Sequence, residues 1–240
     1  MPRFTYDAAV AARFPSIAAG AIHAIGVSNG PSPDALLRDF RNEQAAVRER
    51  IGTTPLSDFP SVVAWRRAFR AFGVDPTAYR SAGEALLRRL TKQGSIPSIN
   101  TLVDLGNLVA IRYGLPVAVF DQRAMTGGTT VRFATGVESF TDLGSGARET
   151  PDPGEVIFVD EAGLVSARRW CWRQAAESAA GPDTTEILVT VEGHHDGALG
   201  DVAAAVADLE HLIGAYAGPR AMVYGIVRPS IPVFEGLAAE

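Results

Sequence analysis

Apolar positions recur at helical spacing through most of the first half of the chain and at strand spacing through most of the second. Pro33-Asp34 opens a helix over Ala35–Ile51, with Leu36, Leu37, Phe40, Ala45, Val47 and Ile51 among charges and Gly52 as its stop. Phe59–Phe72 gives a second helix, apolar at Val62, Val63, Trp65, Ala68, Phe69 and Phe72 and basic at Arg66, Arg67 and Arg70. Ser81-Ala82-Gly83-Glu84 fits a capping box, in which serine and glutamate satisfy free amides of the first turn. The helix it starts, Gly83–Lys92, turns Leu86, Leu87 and Leu90 inward and Arg88, Arg89 and Lys92 to another face. Ile99–Tyr113 is a longer helix that Gly114 ends, and Asp201–Ala217 is clearly amphipathic.

Strands are expected at Ile17–Val27, Pro116–Asp121, Thr129–Ala134, Glu155–Val159, Leu164–Arg169, Thr185–Val191 and Met222–Val227, between turns rich in Gly, Pro and Asp. Early helices and later strands predict an α+β fold rather than alternating βαβ units. The first 35 residues read as a strand-containing lead-in. The whole reads as one compact domain, with room for two lobes joined near Phe120–Gly128.

Composition fits that picture. The chain has 240 residues, 47% hydrophobic and 20% charged, which is ample for a real core. Its apolar runs, such as Leu115–Phe120, fall far short of the roughly 20 residues of a membrane span. Met1-Pro2-Arg3-Phe4-Thr5-Tyr6-Asp7 places an acid where a signal peptide has its apolar stretch, so a cytoplasmic protein is expected. The lone Cys171 excludes an internal disulfide and a cysteine-rich zinc site.

Net charge is −5, but unevenly placed. Arg38–Lys92 holds 11 basic and 6 acidic residues, whereas Val137–Glu161 holds 1 basic and 7 acidic. A local basic surface can meet a phosphate backbone on an acidic protein, because salt screens distant charge. Arg66, Arg70, Arg88 and Arg89 are candidate phosphate contacts, though solvated helix faces look the same. Arg168-Arg169-Trp170-Cys171-Trp172-Arg173 carries two readings. Alternation along a strand would offer tryptophan to bases and arginine to phosphates. Alternatively, the tryptophans fill the core and the arginines pair with the acidic Val137–Glu161 stretch.

Most catalytic templates fail. Gly127-Gly128-Thr129-Thr130 lacks the lysine of a phosphate-binding loop, and no Gly-x-Ser-x-Gly elbow occurs. His194-His195-Asp196 reads as an exposed turn, since adjacent histidines on a strand face opposite ways. His23 and His211 read as packed or helix-surface residues, and Cys171 as a buried, inert thiol. No metal site and no cofactor are expected.

One ordered series is more informative. Ile96-Pro97-Ser98-Ile99-Asn100-Thr101-Leu102-Val103-Asp104-Leu105-Gly106-Asn107, followed by Gly114-Leu115-Pro116-Val117-Ala118-Val119-Phe120-Asp121, resembles the B3/B4 domain of the bacterial phenylalanyl-tRNA synthetase β subunit. Val103-Asp104, Asn107, Gly114, Pro116, Phe120 and Asp121 fall in register without a gap. Arg132-Phe133-Ala134 with Glu138 and Leu143, and Thr185–Glu192, resemble later parts of that domain. The clearest resemblance covers residues 64–193 of a B3/B4-like domain over 61–235, with residues 1–60 as a strand and helix packed on its core.

The resemblance implies an editing module that hydrolyses misacylated tRNA, tyrosine in place of phenylalanine. Ser81–Arg89 and Arg168–Arg173 are similar to free-standing proteins of that group. Position matching puts the family's pocket asparagine at Asn107, its pocket threonine at Gly106 and its histidine at Ala118, a departure that removes a candidate donor and base. The implied site comprises Asn107 and Glu192 as catalytic residues, Gly106, Pro116, Ala118 and Asp121 as pocket, and Arg66, Arg70, Arg88, Arg89, Arg168, Arg169, Trp170 and Arg173 for RNA. Asp104 and Asp121 also suit structural hydrogen bonding, Asp121 at the turn of Gln122-Arg123. Aminoacylated tRNA is the implied partner, with neither membrane nor DNA expected. The alternatives are a non-catalytic RNA-binding module and a small-ligand-binding protein.

Overall fold

The computed structural model describes residues 2–238. In chain order the elements are β1 (Arg3–Tyr6), α1 (Ala8–Arg13), β2 (Ala18–Ile25), α2 (Asp34–Ile51), α3 (Pro60–Ala71), α4 (Ala82–Gln93), α5 (Thr101–Tyr113), β3 (Val117–Asp121), β4 (Thr129–Phe133), β5 (Phe140–Thr141), β6 (Arg148–Glu149), β7 (Val156–Val159), β8 (Val165–Arg168), β9 (Arg173–Gln174), β10 (Glu186–Gly193), α6 (Ala198–Tyr216), β11 (Ala221–Val227) and β12 (Val233–Glu235). This is an α+β fold.

Local chemistry sets the helix ends. Ser81 Oγ accepts the Glu84 amide at 3.3 Å, half of the expected capping box. The other half is absent because the buried Glu84 carboxylate accepts two bonds from Arg66, at 3.0 and 2.5 Å. Asn100, rather than Ile99, caps α5 by accepting the Val103 amide at 3.0 Å, and Gly114 closes it at φ +64°.

Two sheets stack. The four-stranded sheet runs β11-β2-β10-β3, all antiparallel, and the six-stranded sheet runs β12-β1-β4-β7-β8-β9 with only the β1–β4 pair parallel. Helices α2, α4, α5 and α6 cover the outer face of the four-stranded sheet around Leu36, Phe40, Leu105, Val119, Val189 and Val206. Its inner face meets the six-stranded sheet around Phe4, Tyr6, Phe120, Phe158 and Leu188, with Trp65 and Phe69 of α3. The order is therefore helices, sheet, sheet.

The two parts anticipated around Phe120–Gly128 are these stacked sheets: residues 122–128 carry the chain from one to the other, over a shared core. Strand β2 lies between β11 and β10, so residues 18–25 are sheet interior rather than lead-in. Gly20 is what lets α6 approach β2, since a Cβ there would overlap the Val206 side chain.

Candidate functional site

Alternation along β10 sends Val189 and Val191 toward the helices and Leu188, Thr190 and Glu192 toward the second sheet. Glu192 is therefore an acid on an apolar sheet face, 2% exposed. Such a group needs donors. Its Oε1 accepts the Tyr6 hydroxyl in a short hydrogen bond and the Trp170 indole N–H at 2.9 Å. Its Oε2 makes no hydrogen bond among the described residues. Burial pushes the Glu192 carboxyl up to about 7, against the pull of the Trp170 and Tyr6 hydrogen bonds.

Trp170 reaches Glu192 because the backbone turns sharply where β8 ends. Arg169 and Trp170 have φ of +43° and +59°, the positive-φ residues other than glycine among those described. The left-handed region costs an L-residue roughly 1–2 kcal/mol. Glu155 holds the turn in place. It accepts the Arg169 amide at 2.7 Å and the Arg168 guanidinium at 3.0 and 2.9 Å, while the Trp170 amide donates to Val156 O at 2.6 Å.

Beside Glu192 lies a cavity of about 70 Å³, lined by Pro116 and Ala118, by Phe120, Phe158 and Trp170 as apolar wall, and by Thr190, Cys171, Trp172 and Gln174. Thr190 pairs in register with Ala118 on β3. Cys171 is half-buried rather than enclosed, and burial together with the nearby Glu192 pushes its thiol well up, so it is present as the thiol. Ala82, the first residue of α4, is at the cavity wall beside Trp172 and Arg173. The Arg169 guanidinium lies 4.0 Å from the Tyr79 ring centroid and 4.8 Å from that of Trp172, and Arg173 also lies 4.8 Å from Trp172.

The structure gathers Pro116, Ala118, Trp170, Arg173 and Glu192 in this cavity but leaves three anticipated members, Gly106, Asn107 and Asp121, outside its lining. Gly106 lies on the helix side of β3, where a Cβ would come 3.1 Å from Val119 Cγ2. Asn107, next to it on α5, is half-buried and its side chain makes no hydrogen bond among the described residues. Asp121 is structural: it accepts the Arg123 amide at 3.0 Å, the Arg123 side chain at 3.0 and 2.7 Å, and Thr184 Oγ1 at 2.7 Å. Burial raises its carboxyl, but those bonds outweigh burial and hold it below the usual range. Asp104 is likewise fully buried, accepting Ser32 Oγ at 2.6 Å, Ser98 Oγ and the Ile99 amide at 2.9 Å.

Burial or pairing limits what four of the proposed RNA contacts can offer. Trp170 is 0% exposed and offers no face to a base. Arg168, 3% exposed, is bound to Glu155 and Glu149. Arg169 pairs with Glu155 and Asp152, and Arg173 with Asp142 at 3.1 Å. All of these acids belong to the acidic 137–161 stretch. Arg66 is held by Glu84, leaving Arg70 and Arg89 exposed and Arg88 half-exposed.

The histidines also differ from expectation. His194 is buried, with ring centroids 4.6 Å from Trp65, 4.9 Å from Trp170 and 5.9 Å from Phe14. Burial, with Arg67 and His195, lowers it to about 3, so it is neutral. His195 Nε2 lies 2.9 Å from Asp201 Oδ2, in a separate groove with Ser61 and Tyr113. His23 is packed as expected, between Glu186 and the Leu237 amide. Sequence reasoning missed Tyr6 and Thr190. The signal for Tyr6 was a phenol following Phe4 at strand spacing, whose hydroxyl must find a partner when buried.

A helical layer over two stacked sheets, with an acid sunk in the sheet face behind a small cavity, defines an α+β domain with one small polar-and-apolar candidate site. The chain belongs to the B3/4 domain family, whose model matches residues 64–204. It is 34% identical over 122 residues to the phenylalanine–tRNA ligase β subunit of Nocardia farcinica, covering 51% of this chain and 14% of the relative. Against the same subunit of Mycobacterium leprae it is 34% identical over 104 residues, covering 43% and 12%. The matched stretch is thus a small part of either relative. A solved N-terminal fragment of the phenylalanyl-tRNA synthetase β subunit from Pyrococcus horikoshii aligns over 86% of this chain and 48% of its own, at 12% identity and a TM-score of 0.41. Among the described residues no helix is long and apolar enough to cross a membrane.

Proposed function

We propose that this chain binds an aminoacylated tRNA and hydrolyses the ester of a misacylated one, acting in trans. The observation that carries this reading is Glu192: an acid buried on a sheet face, one oxygen fixed by Tyr6 and Trp170 and the other unpartnered at a cavity, inside the segment that matches the B3/4 family. An aminoacyl ester is already activated, so positioning supplies most of what the reaction needs. Glu192 Oε2 accepts a donor from the acyl group and fixes it. Water attacks the ester carbonyl at the mouth, the carbonyl–ribose C–O bond breaks, and the ribose oxygen leaves with a proton from the water. Asn107, on α5 outside the cavity lining, acts on this reading only if the bound ester extends to that helix.

The tRNA body would follow α4, whose first residue is at the cavity wall. The helix carries Arg88, Arg89 and Lys92 up to about 15 Å along from Ala82, at 1.5 Å per residue. Ala118 in place of the family histidine favours a second reading, binding without hydrolysis. The test is a deacylation assay against correctly and incorrectly charged tRNAs, with tRNA binding measured alongside. Selective release that falls at least tenfold in Glu192→Gln, with folding intact, supports the hydrolase. Binding without release from any charged species supports the second reading, and neither binding nor release overturns both.

A further inference from the structure

The cavity beside Glu192 is smaller than an aromatic acyl group. Its volume is about 70 Å³, whereas an apolar cavity of roughly 150 Å³ is one that takes up a benzene ring. The wall has little room to yield. Phe120 and Phe158 are buried rings with centroids 5.8 Å apart, and Trp170 is packed edge-on against Trp65 at 5.4 Å. Close-packed interiors of this kind relax only partially around an added group. Ala118 and Thr190 are paired strand residues on the same β3–β10 ladder as Phe120, so neither can withdraw without opening the sheet.

The polar groups say what fits the remaining space. Among the described residues Glu192 Oε2 and Thr190 Oγ1 have no hydrogen-bond partners, and the two residues stand two apart on one face of β10. Neither is sealed in the core: both residues line the cavity, so a ligand there can bond to them without displacing a protein partner. A hydroxyl can donate to the carboxylate and accept from the threonine, which a methyl group cannot.

From this we infer that the cavity selects aminoacyl groups with short, hydroxyl-bearing side chains, those of serine and threonine, and excludes aromatic ones. The inference rests on the proposed reading of the chain as a protein of aminoacyl-tRNA, and names the acyl class of that same site. Thr190 is then a specificity residue, and Ala118 shapes the wall without contributing a polar group.

The test separates binding from hydrolysis. The full chain is titrated by calorimetry with non-hydrolysable 3′-aminoacylamido adenosines bearing seryl, threonyl, alanyl, phenylalanyl and tyrosyl groups. Seryl and threonyl analogues are expected to bind at least 10-fold tighter than alanyl, and at least 100-fold tighter than the aromatic pair. Thr190→Val, close in size but without the hydroxyl, should bring seryl affinity down to the alanyl level while the melting profile shows the fold retained. Ala118→Leu should fill the cavity and abolish seryl binding. Aromatic analogues that bind as tightly as seryl, or no binding by any analogue, would overturn the inference. Matching tRNA assays read the two proposals apart. Release of every acyl group alike leaves hydrolysis standing and removes the selection, whereas seryl-selective binding without release does the reverse.

Discussion

Trp170 donates its indole N–H to Glu192 across 2.9 Å from a backbone at φ +59°, a conformation that L-amino acids seldom hold. The strain and the buried acid are thus one arrangement: the turn delivers the donor, and the donor keeps Oε1 of Glu192 satisfied.

Trp170→Phe removes the donor while keeping an aromatic ring in the core. The buried Glu192 then retains Tyr6 as its partner on Oε1. Losing one hydrogen bond to a buried, chargeable group is expected to cost about 1–3 kcal/mol, beyond any packing loss from the smaller ring. The cost should be larger at pH 8 than at pH 5, because the ionised carboxylate depends more on its donors. Urea unfolding at the two pH values measures this. An equal loss at both would mean that the indole N–H does not support the charged form.

Glu192 also makes stability pH-dependent. Its folded carboxyl lies at about 7 because of burial, above the ordinary 4.5. Between those values the folded state holds a proton that the unfolded state has released, so stability falls as pH rises through that window and levels off above about 7. The full contribution is on the order of 3 kcal/mol at 1.36 kcal/mol per pKa unit. Glu192→Gln cannot ionise and keeps an acceptor for Tyr6 and Trp170. The expected result is that the variant gains on the wild type from pH 5 to pH 8, followed by melting temperature. A gap that does not change with pH would place the carboxyl at its ordinary value.

Glu155 is the other end of the same turn. It is buried, binds the Arg168 guanidinium through both oxygens, and accepts the amide of Arg169 at φ +43°. Glu155→Ala leaves the buried Arg168 with Glu149 alone, a change that breaks a buried ion pair and is expected to cost about 3–5 kcal/mol. Loss of the Trp170 fluorescence environment should accompany it. Tryptophan emission unchanged from wild type in the folded variant would show that the turn stands without Glu155.

The sequence made the helices and most strands legible because caps and stops are local: Ser81, Asn100 and Gly114 act within a turn of their own residues. It did not make strand order legible. Strand β2 looked like a lead-in, yet its partners β10 and β11 lie more than 150 residues along the chain. The site was half legible. Pro116, Ala118 and Glu192 came through the family pattern, but Tyr6 meets Glu192 over a separation of 186 residues, which no local pattern carries. Gly106 and Asn107 were placed in the cavity from adjacency in that pattern, and the sheet separates Gly106 from it. Arg168–Arg173 carried two readings, and Trp170 in the core with Arg168 paired to the acidic stretch follows the second. Face alternation requires a continuing strand, and β8 stops at Arg168, after which two left-handed residues reverse the faces.

The exposed and buried arginines now make opposite predictions for tRNA. Among the described residues no carboxylate lies at ion-pair distance from Arg88 or Arg89 on α4, whereas Arg168 is enclosed by Glu149 and Glu155. Each phosphate contact adds roughly 0.7–0.9 to the slope of log affinity against log salt. Replacing both Arg88 and Arg89 by alanine should therefore weaken tRNA binding and flatten that slope by up to about 1.4–1.8, with the melting temperature little changed. Arg168→Ala should do the reverse, lowering stability while leaving the slope of whatever folded protein remains at its wild-type value. Fluorescence anisotropy with labelled tRNA at 50–300 mM salt (roughly the range over which such slopes are read) measures both. An unchanged slope in the Arg88/Arg89 variant would remove α4 from the tRNA path, and a flattened slope in Arg168→Ala would return that residue to it.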